Sequence, residues 1–263
     1  MLKKSLIVSA MVLALLLMLS CVAFAGDTEC TGLLGGTHDN VIVAEDASCT
    51  LLDATINGNV KVEKGARLRV GGTTIDGDVQ ADEAALVRIL WSTVEGNVKI
   101  KKLQDQGRHS EVTSNEIGGD VQVEEAAGRF FIIDNTVDGN VLTFKNSPNF
   151  AIINNSISGD LKVEETAPSS RFRLAIIRSN TVDGNIQVFK NSSRFRIIDN
   201  STGGDLQCKE NDPPPGGGNN TVGGSNRPPA EWEALGRSTE GSNARRESPA
   251  GASSLYSSNS KES

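Results

Sequence analysis

Short runs in which every second residue is apolar, such as Asn59-Val60-Lys61-Val62, recur through most of the chain and are separated by polar turns. Alternation over so few residues predicts β-strands with one face turned inward. The runs are phased by a triplet, glycine followed by Asn or Asp and then an aliphatic residue, at Gly58, Gly77, Gly96, Gly119, Gly139, Gly159, Gly184 and Gly204. The intervals are 19 to 25 residues, the period of a stacked repeat. Alignment on the glycine brings apolar residues into columns. Two residues after it stand Val60, Val79, Val98, Val121, Val141, Leu161, Ile186 and Leu206; seven before it stand Leu51, Val70, Ile89, Val112, Ile132, Ile152, Ile177 and Ile197.

Strands this short bury no face alone, but stacked at roughly 4.8 Å they enclose a continuous narrow core. The expected fold is all-β, a parallel β-helix of about nine coils of 19–25 residues, including an imperfect coil around Asn40-Val41-Ile42-Val43. A left-handed helix of strict hexapeptides does not accommodate coils of varying length, which favours the right-handed form. The longer intervals place loops near Lys101 to His109 and Glu164 to Arg171.

Polar columns follow the same phase. Four residues before the glycine come Asn115, Asn135, Asn155, Asn180 and Asn200, an expected asparagine ladder bonded along the stack. Nine before it come Phe130, Phe150 and Phe195, an expected core stack. The residue after the glycine alternates: Asn59, Asp78, Asn97, Asp120, Asn140, Asp160, Asn185, Asp205. Stacked aspartates would put like charges about 4.8 Å apart, costing roughly 1 kcal/mol in water. Alternation doubles that spacing and lets each Asn amide donate to an Asp carboxylate. It also keeps the column from chelating calcium, whose ligands sit at about 2.3 to 2.6 Å.

Cys30 lies one coil ahead of Cys49 in the same column, so the two are expected to form a disulfide closing the first coil, which contributes about 3 kcal/mol in the entropic account. Cys208 falls on an inward column with no later cysteine. It is the thiol left outside the disulfide, expected to be buried and inert; an intermolecular bridge is the sharper alternative. Pro213-Pro214-Pro215 followed by Gly216-Gly217-Gly218 interrupts the pattern and suits an end cap, with one last echo at Asn220-Thr221-Val222-Gly223-Gly224.

The ends differ from the body. Lys3 and Lys4, an apolar run to Leu19 and Ala23-Phe24-Ala25 form a secretory signal over residues 1–25, with lipoprotein processing at Cys21 as a poorer match. No later run is long enough to cross a bilayer, so the expected location is secreted or extracytoplasmic. Residues 26–226 form the β-helix, and 227–263 are Ser- and Arg-rich without apolar period, expected to be disordered. Composition adds two points. Only 4% of residues are aromatic, as suits a core a few aliphatic residues wide, and a net charge of −7 gives no footprint for nucleic acid.

The Gly58–Val62 and Gly77–Gln80 pattern resembles the right-handed parallel β-helix repeat proteins, in particular uncharacterised exported bacterial proteins built from Gly-Asn/Asp-Val coils, over about residues 28 to 224. Proteins of that look tend to carry a second cysteine after the Pro/Gly segment. This chain has none and ends in the Ser/Arg tail, which is either native or the product of an altered reading frame.

The resemblance implies architecture more than activity. Pectate-lyase-like enzymes share the fold, and polygalacturonases carry Asn-Thr-Asp, Gly-His-Gly and Arg-Ile-Lys motifs. The nearest counterparts here are Asn135-Thr136-Val137-Asp138 and Arg196-Ile197-Ile198, and neither His38 nor His109 is flanked by glycine. The best carboxylate cluster for a metal or acid–base role is Asp76, Asp78 and Glu95, for which a solvated turn is the ordinary reading. A threonine column, Thr55, Thr74, Thr93, Thr136 and Thr181, resembles ice-binding β-helices, but Asp76, Glu95, Asp138 and Asp183 stand beside it. Short Gly-Asp-Val coils are also similar to those of the polymer-forming bactofilins. The expectation is a non-catalytic protein without cofactor, structural or adhesive at the envelope, touching a polysaccharide or a surface protein along its flat sides. A carbohydrate-active enzyme is the alternative.

Overall fold

A computed structural model describes residues 26–104, 106–168 and 174–224. The expected signal segment, the tail from Arg227 and part of the second loop lie outside the described residues. The described chain is an all-β parallel solenoid of about nine turns. Each coil supplies one strand to a ten-stranded sheet that runs from Asp27–Glu29 through Val60–Val62 and Val121–Glu124 to Leu206–Lys209. We call this the first sheet. A second rank contains the longer strands, such as Arg67–Gly71, Arg129–Ile133 and Arg194–Ile198, and a third rank holds two-residue strands from Thr74–Ile75 to Thr221–Val222. The early strand Ser48–Ile56 runs through both ranks, pairing with Arg67–Gly71 and with Thr74–Ile75, so the two ranks count as one sheet.

The register follows the glycine phase. Val60 pairs with Val79, Val79 with Val98, and so on to Leu206, while Leu51, Val70, Ile89 and Val112 continue the other column. These side chains are almost wholly buried and form one continuous core. Cys30 and Cys49 are joined, with Cα atoms 5.4 Å apart, and tie the first coil to the second. Phe130 and Phe150 stack at 4.9 Å between centroids; Phe195 meets Phe150 edge-on at 6.0 Å, across a coil that has Ala175 in the aromatic position.

The asparagine column is a buried ladder. The Nδ2 of Asn115, Asn135, Asn155, Asn180 and Asn200 each donates to Oδ1 of the next member at 2.9 to 3.0 Å, ending on Asn220. Each of these Oδ1 atoms also accepts the backbone N–H of the coil before it. Upstream the same place is taken by Thr73 and Ser92, whose hydroxyls accept the N–H of Ala54 and Thr73. A second ladder, absent from the sequence reading, lies seven residues after the glycine. There Asn146, Asn191 and Asn211 accept the N–H of Ala126, Thr166 and Asn191, and donate to the carbonyls of Val123, Val163 and Val188.

The echo at Asn220–Gly224 is a further coil, with Thr221–Val222 paired to Ser201–Thr202, and the Pro213–Pro215 segment fills the bend ahead of it rather than capping the stack. Pro215 is buried where the phenylalanines stand in earlier coils, and Gly216–Gly218 pairs with Arg196–Ile198. Prolines are tolerated because no ladder donor is needed at the bend. Gly217 lies so close to the backbone of Ile197 that a Cβ would overlap its carbonyl.

The ladder makes a prediction. Asn155→Ala strands the N–H and Nδ2 of Asn135 and the carbonyl of Ile132 in a dry interior, at about 1–3 kcal/mol for each group. Denaturant unfolding should show a loss of about 3 kcal/mol or more. Ser156→Ala, one residue on but exposed, should stay within about 0.5 kcal/mol.

Candidate functional site

The corner after each glycine is built by close approach. At Gly139 an added Cβ would lie 2.4 Å from Oδ1 of Asp120 and 2.7 Å from the backbone of Gly119, and the other corner glycines repeat that geometry. The space vacated by the side chain is where the previous coil's Asn or Asp seats its oxygen. That oxygen accepts the N–H of the next corner residue: Asp78 on Asn59, Asn97 on Asp78, Asp120 on Asn97, and onward to Asp205 on Asn185. Asn97, Asn140 and Asn185 add a second bond, donating Nδ2 to the Asp of the coil before at 2.9 to 3.1 Å. The outer oxygens of Asp78, Asp120 and Asp205 accept from Gln80, Gln122 and Gln207.

Asp78 illustrates the electrostatics. Burial opposes its ionisation, but the N–H and amide of Asn97, the amide of Gln80 and the charge of Lys99, 3.6 Å away, outweigh that and hold its pKa below the ordinary carboxylate value. A depressed folded-state pKa stabilises the fold above about pH 4, and that contribution is lost as pH falls through the depressed value. Both oxygens of Asp78 are therefore engaged by donors. Asp76 and Glu95 are exposed on the neighbouring column, and no cluster of three metal-binding side chains occurs among the described residues.

A second alternating column lies six residues after the glycine, at a corner of positive φ. It carries Glu83, Lys102, Glu125, Lys145, Glu165, Lys190 and Glu210, all with φ between 49° and 55°. Lys102 lies 3.6 Å from Glu83, and Lys190 lies 3.7 Å from Glu164 beside this column. Coils with Asp after the glycine carry Glu here, and coils with Asn carry Lys. The repeating unit from Gly77 onward is thus two coils. Alignment at this offset would have revealed it.

The outward faces differ. On the first sheet, Lys61, Gln80, Lys99, Gln122, Leu142, Lys162, Gln187 and Gln207 form one outward file, polar except at Leu142. A shallow open groove there is lined by Lys61, Glu63, Gln80, Asp82, Lys99 and Lys101. Further along the same face stand Phe144 and Phe189, half-buried, each with a lysine ammonium over its ring, Lys145 at 4.8 Å and Lys209 at 5.7 Å.

The third rank carries the threonine file in register, broken by Glu116, with Glu95 and Asp138 beside it around a groove at Gly118. His38 bonds Gly35 and Thr28 in the first coil; His109 lies against Arg88, Glu111 and the ring of Phe131. Cys208 is buried, outside the disulfide. No helix among the described residues is long and apolar enough to cross a membrane.

Comparison with protein-family models, with curated proteins and with solved structures finds no match to this chain.

Asn140→Asp places a third carboxylate between Asp120 and Asp160 and removes a donor. Each neighbour costs roughly 1 kcal/mol, so stability at pH 7 should fall by about 2 kcal/mol. Repulsion raises the folded-state pKa of the new carboxylate; its repulsive part of the deficit is therefore full above that raised value, shrinks as the pH falls through it, and is gone below about pH 4. Urea midpoints across pH test this.

Proposed function

We propose that the protein is a secreted or cell-surface, non-catalytic β-helix with a structural or adhesive role at the envelope, holding an extended acidic polysaccharide along the outer face of its first sheet. The observation that carries this is the outward file from Lys61 to Gln207, polar in every coil but that of Leu142, with lysines gathered around Lys99 and Lys101 beside Glu63 and Asp82. Ammonium and amide groups suit the carboxylates and hydroxyls of such a polymer, and a regular rise of about 4.8 Å per coil suits a ligand that is itself periodic. Phe144 and Phe189, two coils apart, offer apolar ring surface to sugar faces. The disulfide supports an oxidising location.

The test is co-sedimentation with a panel of acidic and neutral polysaccharides, with and without calcium. Acidic polymers should be retained, with affinity falling as salt rises, and Lys99→Gln with Lys101→Gln should weaken retention by about tenfold. Release of unsaturated or reducing ends by the purified protein would establish the enzyme alternative instead.

A further inference from the structure

The corner glycines carry one exception. From Gly77 to Gly204 each donates its N–H to the carbonyl of the corner glycine one coil earlier, at 2.9 to 3.3 Å. Gly58 does not. The coil before it turns on Asp39-Asn40, without a glycine, and among the described residues no acceptor takes the Gly58 N–H.

The residue in front makes that exception chemical. Asn57-Gly58 is the one Asn-Gly pair in the sequence, and Asn57 is exposed. Its Nδ2 makes a single long bond, 3.5 Å to Oδ1 of Asp39, so the side chain is loosely held. In the later coils the position before the glycine carries Asp, Glu, Ser or Gly.

A glycine nitrogen, with no Cβ beside it, can close on the side-chain amide of the residue before. The Gly58 nitrogen gives up its proton to base and attacks Cγ of Asn57. The N–Cγ bond forms, the Cγ–Nδ2 bond breaks, and the amide nitrogen takes up a proton and leaves as ammonia. Water then opens the five-membered imide. Opening at Cγ gives aspartate; opening at the α-carbonyl gives iso-aspartate, in which the main chain runs through Cβ and Cγ. Water is the only co-reactant, and nothing is oxidised or reduced. An N–H already bonded to a carbonyl is harder to deprotonate and must break that bond to turn toward Cγ. The stack therefore suppresses the reaction at the bonded corners and leaves it open at Gly58.

We propose that Asn57 is a site of spontaneous modification, converting to aspartate and iso-aspartate as the protein ages, and that the unbonded N–H of Gly58 singles it out. The products alter the junction of the first two coils. A carboxylate at residue 57 faces that of Asp39 in place of the amide that bonded it. The iso-aspartyl main chain is one methylene longer between Ile56 and Val60, both wholly buried and paired in register with the next coil. The Cys30–Cys49 disulfide keeps the first coil attached.

Peptide mapping by mass spectrometry of the purified, folded protein, incubated in mildly alkaline and in mildly acidic buffer, tests this independently of any polysaccharide binding. Asn57 should convert to two products of equal mass that separate by chromatography, faster at the higher pH, while exposed Asn154 and Asn219 keep their amides. Asp76→Asn supplies a second Asn-Gly pair one coil on, also exposed, where the Gly77 N–H is bonded to the Gly58 carbonyl at 3.0 Å. That site should react at least about fivefold more slowly than Asn57, the factor an ordinary hydrogen bond is worth. Both sites are read in the same chain, so global unfolding, which exposes them alike, does not produce the difference. Retention of the Asn57 amide under conditions in which the unfolded protein loses it, or equal rates at residues 57 and 76, would overturn the proposal.

Discussion

Everything in this solenoid depends on the vertical distance between coils, about 4.8 Å, which is set by the main-chain hydrogen bonds of parallel strands. Whatever side chain occupies a position in one coil meets its counterpart in the next at that distance. Each column must therefore be tolerable when stacked on itself. Aliphatic residues meet this requirement by dispersion and burial, which accounts for the Val and Ile of the inward columns. Asparagine meets it because its amide is donor and acceptor at once, so Asn115 through Asn220 close a chain of bonds in which no group is left to water. Aspartate fails it, having acceptors only and a charge.

The two alternating columns follow from that failure. A carboxylate can stand in the stack only if its neighbour supplies a donor or the opposite charge. At the glycine corner the neighbour is Asn, whose Nδ2 reaches back to the preceding Asp. At the positive-φ corner Glu alternates with Lys. Both columns alternate in step, so the chain has a coil-scale repeat for packing and a two-coil repeat for charge. The glycine belongs to the same solution. It is kept by the lack of room for a Cβ beside the preceding coil's Oδ1, and its own backbone has no positive φ at Gly58, Gly77 or Gly139.

The core was legible because inward columns repeat without interruption: once the glycine sets the phase, Val60 to Leu206 can only lie on one line. Cys30 and Cys49 were legible for the same reason, since a one-coil offset fixes their separation. The second ladder was hidden because Ala126 and Thr166 interrupt it and its asparagines stand in what looks like a turn. The Glu/Lys column was hidden because exposed charges at a corner look like ordinary solvated surface until the backbone shows them stacked. Proline reads as a strand breaker in a sequence, whereas Pro213–Pro215 occupies a bend with no ladder bond to lose. The candidate carboxylates Asp76, Asp78 and Glu95 share a neighbourhood by sequence, but hydrogen bonding separates them: Asp78 is a structural acceptor and the other two are solvent-exposed.

Since stacking fixes the inward columns and the corners, the outward columns are the places where the chain is free to vary, and they have diverged into three distinct faces. The first sheet carries amides, ammoniums and carboxylates, the third rank hydroxyls beside carboxylates, and the second rank aliphatic and aromatic groups interrupted by Arg69, Arg88, Glu111 and Arg196. Folding alone gives no reason for that division, because an outward residue contributes little to a core already closed. A uniformly solvated rod would mix these types around its circumference. The apolar stretch of the second rank, Phe131, Ile133, Ile153 and Ile176, runs against solubility, and it is held in register by the same ladders that accommodate Arg88 and Arg196 on neighbouring coils. The asymmetry of the surface, set against the monotony of the interior, is the physical ground for reading this protein through its faces.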